Sequence, residues 1–159
     1  MTTSKDVDLV NITQKKWANM VLKIGSAYRK KNNLDDLISE LLHKIYAFDH
    51  CSILFKPTLA KHNQFRSTKE EFTSYFLGLN KVCKEDKGFA IKNWKSIKFE
   101  NFKIVNYNDQ LLSMGNYYFE DEKNEFLKVE YTFGFIKVSP DELKINLHHS
   151  SLPYNGLVK

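Results

Sequence analysis

The chain has 159 residues, of which 42% are hydrophobic and 27% are charged, with only 3 prolines and 6 glycines. This composition excludes an intrinsically disordered chain and fits one domain, which we predict to span residues 1–159. The formal net charge of +5 favours anionic ligands. The densest basic run, Arg29-Lys30-Lys31, carries no nucleic-acid-binding motif, so we interpret it as a solvated helix face and expect no nucleic-acid partner.

Two cysteines, Cys51 and Cys83, lie far apart and belong to no paired metal or redox motif. Isolated cysteines are typical of a reducing compartment, where they pack as small hydrophobic side chains. The first residues hold no apolar signal segment, and no stretch approaches the ~20 apolar residues that a membrane span needs. We therefore expect a soluble, cytoplasmic protein with no membrane partner.

The first third of the chain has helical periodicity. We predict that Asn11 caps a first helix with apolar positions at Trp17, Val21, Ile24 and Tyr28. A second helix is predicted from the apolar stripe Leu34, Leu37, Ile38, Leu41, Leu42 and Ile45. The short apolar run "CSILF" (51–55) then predicts a strand that leads into a loop.

A third helix is predicted after Ser67 or Thr68, either of which can cap it. Two acidic residues, Glu70 and Glu71, fall in its first turn, where carboxylates favour a helix start. Its apolar stripe is Phe72, Tyr75, Phe76 and Leu79. We expect the helix to end near Asn80.

Beyond about residue 88 the pattern alternates, and β-branched and aromatic residues dominate. The predicted order is a strand at 96–105, a turn at 106–109, a strand at 110–120, turns at 121–124 and 139–142, and a strand after each of these. Gly115 and Gly134 fall inside strands, where glycine often marks a bulge or bend. Helices followed by a four-strand antiparallel meander predict an α+β fold.

The last predicted strand, "LKINLHHSS" (143–151), ends in four polar residues. Regular alternation predicts one face made of Leu143, Ile145, Leu147, His149 and Ser151, and an opposite face made of Lys144, Asn146, His148 and Ser150. If the first face is internal, His149 and Ser151 extend the apolar stripe to a polar end, where a cavity-lining site would lie. One β-bulge would exchange the faces, and a strand end that simply leaves the core is an equally open interpretation.

The sequence offers little for a metal or phosphate site. His148 and His149 are adjacent, so their side chains diverge on a regular strand, and the other histidines show no ligand spacing. Neither a glycine-rich phosphate loop nor a GxSxG nucleophile elbow is present. We therefore predict no metal and no cofactor, with convergence of distant ligands left open.

Seven motifs follow one another along the chain: "ILFKPT" (53–58), "SYF" (74–76), "DKGFAI" (86–91), "FEN" (99–101), "MGNYYF" (114–119), "KVEYTFGF" (128–135) and "LHHSSLPY" (147–154). Over about residues 45–154 the chain resembles the iota-class carbonic anhydrases and the SnoaL-like, calmodulin-kinase-association-like branch of the nuclear transport factor 2-like superfamily. The resemblance implies a cone, in which N-terminal helices pack on a curved, mostly antiparallel sheet. The superfamily also holds isomerases, cyclases, dehydratases and non-catalytic assembly domains, so the fold alone does not decide the function.

The resemblance implies reversible hydration of CO2 to bicarbonate, without metal, by hydroxyl and histidine groups in the cone. The implied catalytic residues are His148, His149, Tyr75 and Ser151, and the implied substrate-binding residues are Thr58, Tyr75, Ser150 and Ser151. Which histidine and which serine of each pair faces the ligand stays open. The hydroxyls would bind and orient, and a histidine would transfer the proton. Members described as metal-dependent have a third histidine where this chain has Leu147.

Each implied site residue also has a structural interpretation. Tyr75 lies on an apolar helix stripe, and Thr58 follows Pro57, where it can close a turn. Glu130 becomes a second candidate base if it points inward. For the whole chain, the alternatives to a carbonic anhydrase are a non-catalytic association module and an enzyme acting on another small molecule. We expect a homodimer or higher homo-oligomer in all three cases.

Overall fold

The structure, a computed structural model that describes residues 1–156, consists of helices packed on a five-stranded sheet. The helices are α1 (Ser4–Arg29), α2 (Asp35–Glu40), which continues as a π-helix (Leu41–Ile45), and α3 (Lys69–Leu77). The strands are β1 (Leu54–Lys56), β2 (Trp94–Tyr107), β3 (Gln110–Asp121), β4 (Phe126–Ser139) and β5 (Glu142–Ser151). In the order β1-β5-β4-β3-β2, only β1 and β5 are parallel neighbours within the described sheet. The predicted α+β fold is confirmed.

Helix α1 starts well before Asn11, so the predicted cap is wrong. The Thr3 side chain accepts a hydrogen bond from the backbone N–H of Asp6 at 3.1 Å, and the Asp6 carboxylate accepts one from the backbone N–H of Thr3 at 2.9 Å. This capping box satisfies two N–H groups that a helix start leaves free. The usual capping box has Glu or Gln at the position of Asp6. Because aspartate is found there instead, the sequence pattern that marks a helix start was weak.

The other predicted elements are confirmed, with shifts at their ends. Helix α3 begins after Thr68, whose side chain accepts from the backbone N–H of Glu71 at 3.2 Å. It ends at Leu77 rather than near Asn80, because Gly78 adopts a left-handed φ of 68° that terminates the helix. Strand β1 takes up only the end of the predicted 51–55 segment.

Strands β2 and β5 carry bulges, and a bulge bends the strand that contains it. Asn101 of β2 pairs with Gly115 of β3, and Lys103 pairs with Met114. Phe102 is therefore an extra residue in β2. A β-carbon on Gly115 would lie 2.1 Å from the carbonyl oxygen of Glu100. Only glycine therefore allows β2 and β3 to approach at this bend, as the position of Gly115 in the sequence predicted.

The core lies between α1 and the inner face of the sheet. Trp17, in the middle of α1, is 1% exposed. Its ring meets aromatic rings from α3, β2, β3, β4 and β5 at centroid distances of 5.5–6.4 Å. This packing brings most elements of the fold to one buried point, and a group of buried polar side chains surrounds it. None of the helices in residues 1–156 has the length and apolar character needed to span a membrane.

Candidate active site

Strand β5 carries a bulge that reorients its polar end. Gly134 of β4 pairs with Leu147, but the next residue, Phe135, pairs with Ile145, so Asn146 is an extra residue in β5. A β-carbon on Gly134 would lie 2.8 Å from Asn146 Oδ1 and 2.8 Å from Leu147 Cβ. The glycine thus provides the space into which the bulge fits, and beyond Asn146 the alternation is shifted by one residue.

The shift places His148 and Ser150 inside, with 2% and 1% of their surfaces exposed. His149 and Ser151 lie on the outer face, where the Ser151 hydroxyl donates to Glu130 Oε2 at 3.2 Å. The interpretation in which His149 and Ser151 continue the inner face is therefore wrong, and the β-bulge that the sequence left open is the one that occurs. Glu130 is also on the outer face, which removes it as an internal base.

His148 and two hydroxyls form a buried cluster. The Nε2 atom of His148 lies 2.9 Å from Ser150 Oγ and 3.1 Å from Tyr117 Oη, and the two hydroxyls also hydrogen-bond each other. Burial, and to a smaller extent the adjacent His149, lowers the pKa of His148 well below its ordinary value. Burial likewise raises the pKa of Tyr117. The imidazole and the phenol are therefore uncharged at neutral pH.

Thr58 and Tyr75 extend this cluster towards the protein surface. The Thr58 side chain, which is largely buried, lies beside both Tyr75 and Tyr117 and acts to lower the pKa of each phenol. The Tyr75 hydroxyl accepts the backbone N–H of Leu59 at 3.4 Å, and burial raises the pKa of this tyrosine. We call the side chains of Thr58, Tyr75, Tyr117 and Ser150 the hydroxyl cluster.

A cavity of about 270 Å³ opens beside Tyr75. The ammonium of Lys92 lies on its wall, 5.7 Å from the centre of the Phe89 ring. The carboxylates of Glu85 and Asp86 also line the cavity, but both are engaged elsewhere, Glu85 with three backbone N–H groups and Asp86 with a buried guanidinium. Lys87 also lines the cavity, and neither lysine is in an ion pair among the residues that the structure describes, so the wall carries two unpaired positive charges.

Behind Tyr75, a buried ion pair fixes the ring. The Arg66 guanidinium makes two hydrogen bonds to Asp86, at 2.5 and 2.8 Å, and lies 5.5 Å from the centre of the Tyr75 ring. The Ser74 hydroxyl donates to the same carboxylate at 2.7 Å. This two-point arrangement joins helix α3 to the loop that follows it and holds the Tyr75 ring in one position.

A sequence profile of the metal-independent carbonic anhydrases matches residues 8–152, a range that contains the hydroxyl cluster and His148. The chain belongs to the metal-independent carbonic anhydrase family. It is 33% identical over 144 residues to the metal-independent carbonic anhydrase of Nostoc sp., an alignment that covers 89% of this chain and 70% of that protein. It is also similar to the crystal structure of a cyanobacterial iota-carbonic anhydrase complexed with bicarbonate, with a TM-score of 0.87, 31% identity, and coverage of 97% of this chain and 94% of that one.

More distant structures share the fold alone. A protein from Xanthomonas campestris assigned as a calcium/calmodulin-dependent protein kinase II association domain has a TM-score of 0.58 and 20% identity, with coverage of 94% and 87%. A nuclear transport factor 2-like protein from Streptomyces avermitilis assigned as a dehydratase has a TM-score of 0.58 and 16% identity, with coverage of 97% and 100%. The predicted nuclear transport factor 2-like fold and the resemblance to iota-class carbonic anhydrases are confirmed.

Three polar residues of this buried cluster were not predicted from sequence. Tyr117 falls in the motif "MGNYYF", but only the strand pairing shows that it faces the core. The Trp17 indole N–H donates to the Tyr46 hydroxyl at 3.0 Å, and Tyr46 Oη lies 2.7 Å from His148 Nδ1. Buried Trp and Tyr side chains generally need polar partners, but the sequence does not identify which residues those partners are.

In residues 1–156, no three His, Cys, Asp or Glu side chains come together in a group that could hold a metal ion. Both ring nitrogens of His148 contact hydroxyl groups, and the adjacent His149 lies on the other face of the sheet. The two histidines therefore diverge, as regular strand geometry predicted for neighbouring residues.

Proposed function

We propose that this chain catalyses the reversible hydration of CO2 to bicarbonate at the hydroxyl cluster, without a metal ion. The observation behind it is that four uncharged hydroxyls converge beside neutral His148, in a chain whose relative with the same fold was solved with bicarbonate. Bicarbonate presents acceptor oxygens, and hydroxyl groups are donors that can meet them. Of the residues implied by the resemblance, Thr58, Tyr75, Ser150 and His148 belong to this site; His149 and Ser151 do not.

The reaction needs an oriented water and stabilisation of new negative charge. The water oxygen bonds to the carbon of CO2, one water O–H bond breaks, and charge develops on the former CO2 oxygens. Hydroxyl donors aimed at these oxygens stabilise that charge in a buried site, and holding the two reactants together removes part of the barrier. Because burial raises the pKa of Tyr75 and Tyr117, both phenols keep their hydrogens at neutral pH. The released proton passes to solvent through the cavity beside Tyr75.

Ligand entry must open the hydroxyl cluster, because its members hydrogen-bond one another. The Ser150 hydroxyl hydrogen-bonds the Tyr117 hydroxyl, and the Thr58 side chain lies beside Tyr117 and Tyr75. A bound bicarbonate would replace these contacts with hydroxyl–ligand hydrogen bonds. Since one set of bonds is exchanged for another, the net cost of opening is small compared with the strength of any single bond.

The test is CO2 hydration by the purified, chelator-treated protein, with its metal content assayed. We expect activity to survive chelation, and Ser150→Ala and Tyr75→Phe each to lower kcat/KM by about 10²-fold, the usual effect of losing a donor to a developing oxyanion. Adjacent residues on the outer face provide matched controls: Ser151→Ala and His149→Gln should change kcat/KM by less than about threefold. An inactive wild type, activity only with added metal, or equal losses in both sets would refute the proposal.

We also propose that two copies of the chain associate through the outer face of the sheet. A groove of about 610 Å³ on this face is lined by Phe102 and Met114, which are 82% and 53% exposed, together with His149 and Ser151. A two-fold axis would bring the apolar patch of one copy onto the same patch of the other. Phe102→Asp should convert a dimer to a monomer in sedimentation velocity; a monomeric wild type would contradict this.

The expected cytoplasmic location remains a proposal. Its support is that Cys51 is an exposed and Cys83 a buried free thiol, a state favoured in a reducing compartment. Fluorescence microscopy of a tagged full-length chain in its host would test it, and a signal outside the cytoplasm would overturn it.

A further inference from the structure

The buried side of the hydroxyl cluster begins with a group that can only donate. The indole of Trp17 has one N–H and no acceptor, and it lies 3.0 Å from Tyr46 Oη. Tyr46 is fully buried, so its hydroxyl exchanges no hydrogen bond with solvent. The Tyr46 oxygen therefore accepts the Trp17 hydrogen, and the single hydrogen of the Tyr46 hydroxyl must find a partner elsewhere.

That partner is His148. Among the residues that the structure describes, the other polar atom recorded at the Tyr46 hydroxyl is His148 Nδ1, 2.7 Å away. If Nδ1 carried a hydrogen of its own, the Tyr46 O–H would be left buried and unpaired, which proteins avoid. Nδ1 is therefore the acceptor, and it carries no hydrogen.

The opposite nitrogen of the ring then carries the hydrogen. A neutral imidazole has one N–H, and burial keeps His148 neutral. The Nε2 atom lies 2.9 Å from Ser150 Oγ and 3.1 Å from Tyr117 Oη, so its hydrogen is directed into the hydroxyl cluster.

We infer that Trp17 and Tyr46 are positioning residues that fix His148 as the Nε2–H tautomer, so that its ring donates a hydrogen bond to the hydroxyl cluster. A hydroxyl oxygen that receives this bond keeps its own O–H for the next acceptor. The direction of donation thus runs from Trp17 through Tyr46 and His148 to the ligand. The cluster is biased to donate to an anion, and His148 is not the acceptor of the proton that water releases. The role of proton acceptor that the resemblance implied for a histidine does not fall to His148.

The catalytic consequence rests on the proposed function, but the tautomer does not, so the first readout is spectroscopic. Multiple-bond 1H–15N correlation NMR of 15N-histidine-labelled protein separates a protonated ring nitrogen from an unprotonated one. We expect wild-type His148 to show protonated Nε2 and unprotonated Nδ1 at neutral pH. In Tyr46→Phe, which keeps the ring but loses the donor to Nδ1, an Nδ1–H population should appear. Trp17→Phe should have the same effect to a smaller degree.

A matched packing control is Phe133→Leu. The Phe133 ring lies 4.3 Å from the His148 ring, centre to centre, but it has no hydrogen-bonding group. Its loss should loosen the packing around His148 and leave the Nε2–H tautomer unchanged. In CO2 hydration, Tyr46→Phe should lower kcat/KM by about tenfold, the effect of weakening one hydrogen bond at the site.

A wild-type His148 with its hydrogen on Nδ1 would overturn the inference, as would a Tyr46→Phe variant whose tautomer is unchanged. Either result would leave the proposed carbonic anhydrase activity standing if CO2 hydration is observed. Conversely, an inactive wild type with the Nε2–H tautomer would refute the proposed function and support the assigned roles of Trp17 and Tyr46. If Trp17→Phe does not fold, wild type and Tyr46→Phe still decide the question.

Discussion

Acidification should destabilise the protein through His148 before it protonates the carboxylates. Because burial lowers the pKa of His148 in the folded state, the ring contributes full stability above its unfolded pKa of about 6.5 and loses it as the pH falls below that value. Keeping the ring neutral costs little at about pH 7 and on the order of 1 kcal/mol at about pH 5.5. The free energy of unfolding should therefore fall by about 1 kcal/mol between these two pH values on account of this one residue.

Urea denaturation at several pH values measures this loss directly. In His148→Asn the contribution should be absent, so the variant should be less stable than wild type at neutral pH but lose less on acidification. His149→Asn provides the comparison, because partial burial and the charge of Lys56 lower the pKa of His149 less strongly. Parallel losses in wild type and His148→Asn would refute the reasoning. If His148→Asn does not fold, NMR titration of the wild-type ring decides whether it stays neutral below pH ~6.

Three further predictions concern the frame of the site. Gly134→Ala should lower the free energy of unfolding by about 1–3 kcal/mol. Gly115→Ala should lower it by at least as much, because the added β-carbon would meet the backbone oxygen of Glu100, which cannot move aside as a side chain can. Urea denaturation measures both, and two variants as stable as wild type would contradict this prediction. Burial raises the pKa of Glu85, but hydrogen bonds from the backbone N–H groups of residues 61–63 lower it to about 2. The stability that Glu85→Gln loses at neutral pH should therefore disappear as the pH falls from about 4.3 towards 2. A variant that is still less stable than wild type near pH ~2 would contradict this prediction. Lys92→Gln should raise KM for bicarbonate several-fold at low salt and less at high salt, while Lys92→Arg should not; equal effects at both salt concentrations would argue against an electrostatic role.

Much of the fold followed from local pattern. The capping residue Thr68, the helical stripes and the alternating strands are set by neighbours in the chain, which is why these elements occur where they were predicted. The start of α1 was missed, because a capping box closed by Asp6 instead of Glu or Gln is a weaker signal.

The site was less predictable, because its residues are brought together by pairing over long distances. Thr58, Tyr75 and Ser150 entered through a family resemblance, and alternation alone pointed to the wrong faces of β5. The glycine at position 134 did signal a bend, but not that the bulge lay on the neighbouring strand at Asn146. Hydrogen bonds such as Trp17–Tyr46 depend on tertiary packing and leave no local pattern.

Two single-residue irregularities lie close to His148, and each accommodates one extra residue without displacing the side chains of the site. The π-helix holds one more residue in its turn than an α-helix, with the Tyr46 N–H bonded to the Leu41 carbonyl at 2.9 Å. Deleting one residue from 42–45 would convert this turn to an α-helical one, in which the Tyr46 N–H keeps its bond to the Leu41 carbonyl and the Tyr46 hydroxyl keeps its place beside His148. Deleting Asn146 would remove the bulge and leave His148 paired with Phe133 and facing inward, because Leu147 would then follow Ile145 in regular alternation. Natural variation in these two segments should therefore include the loss of one residue as well as substitutions, with Tyr46 and His148 kept in place.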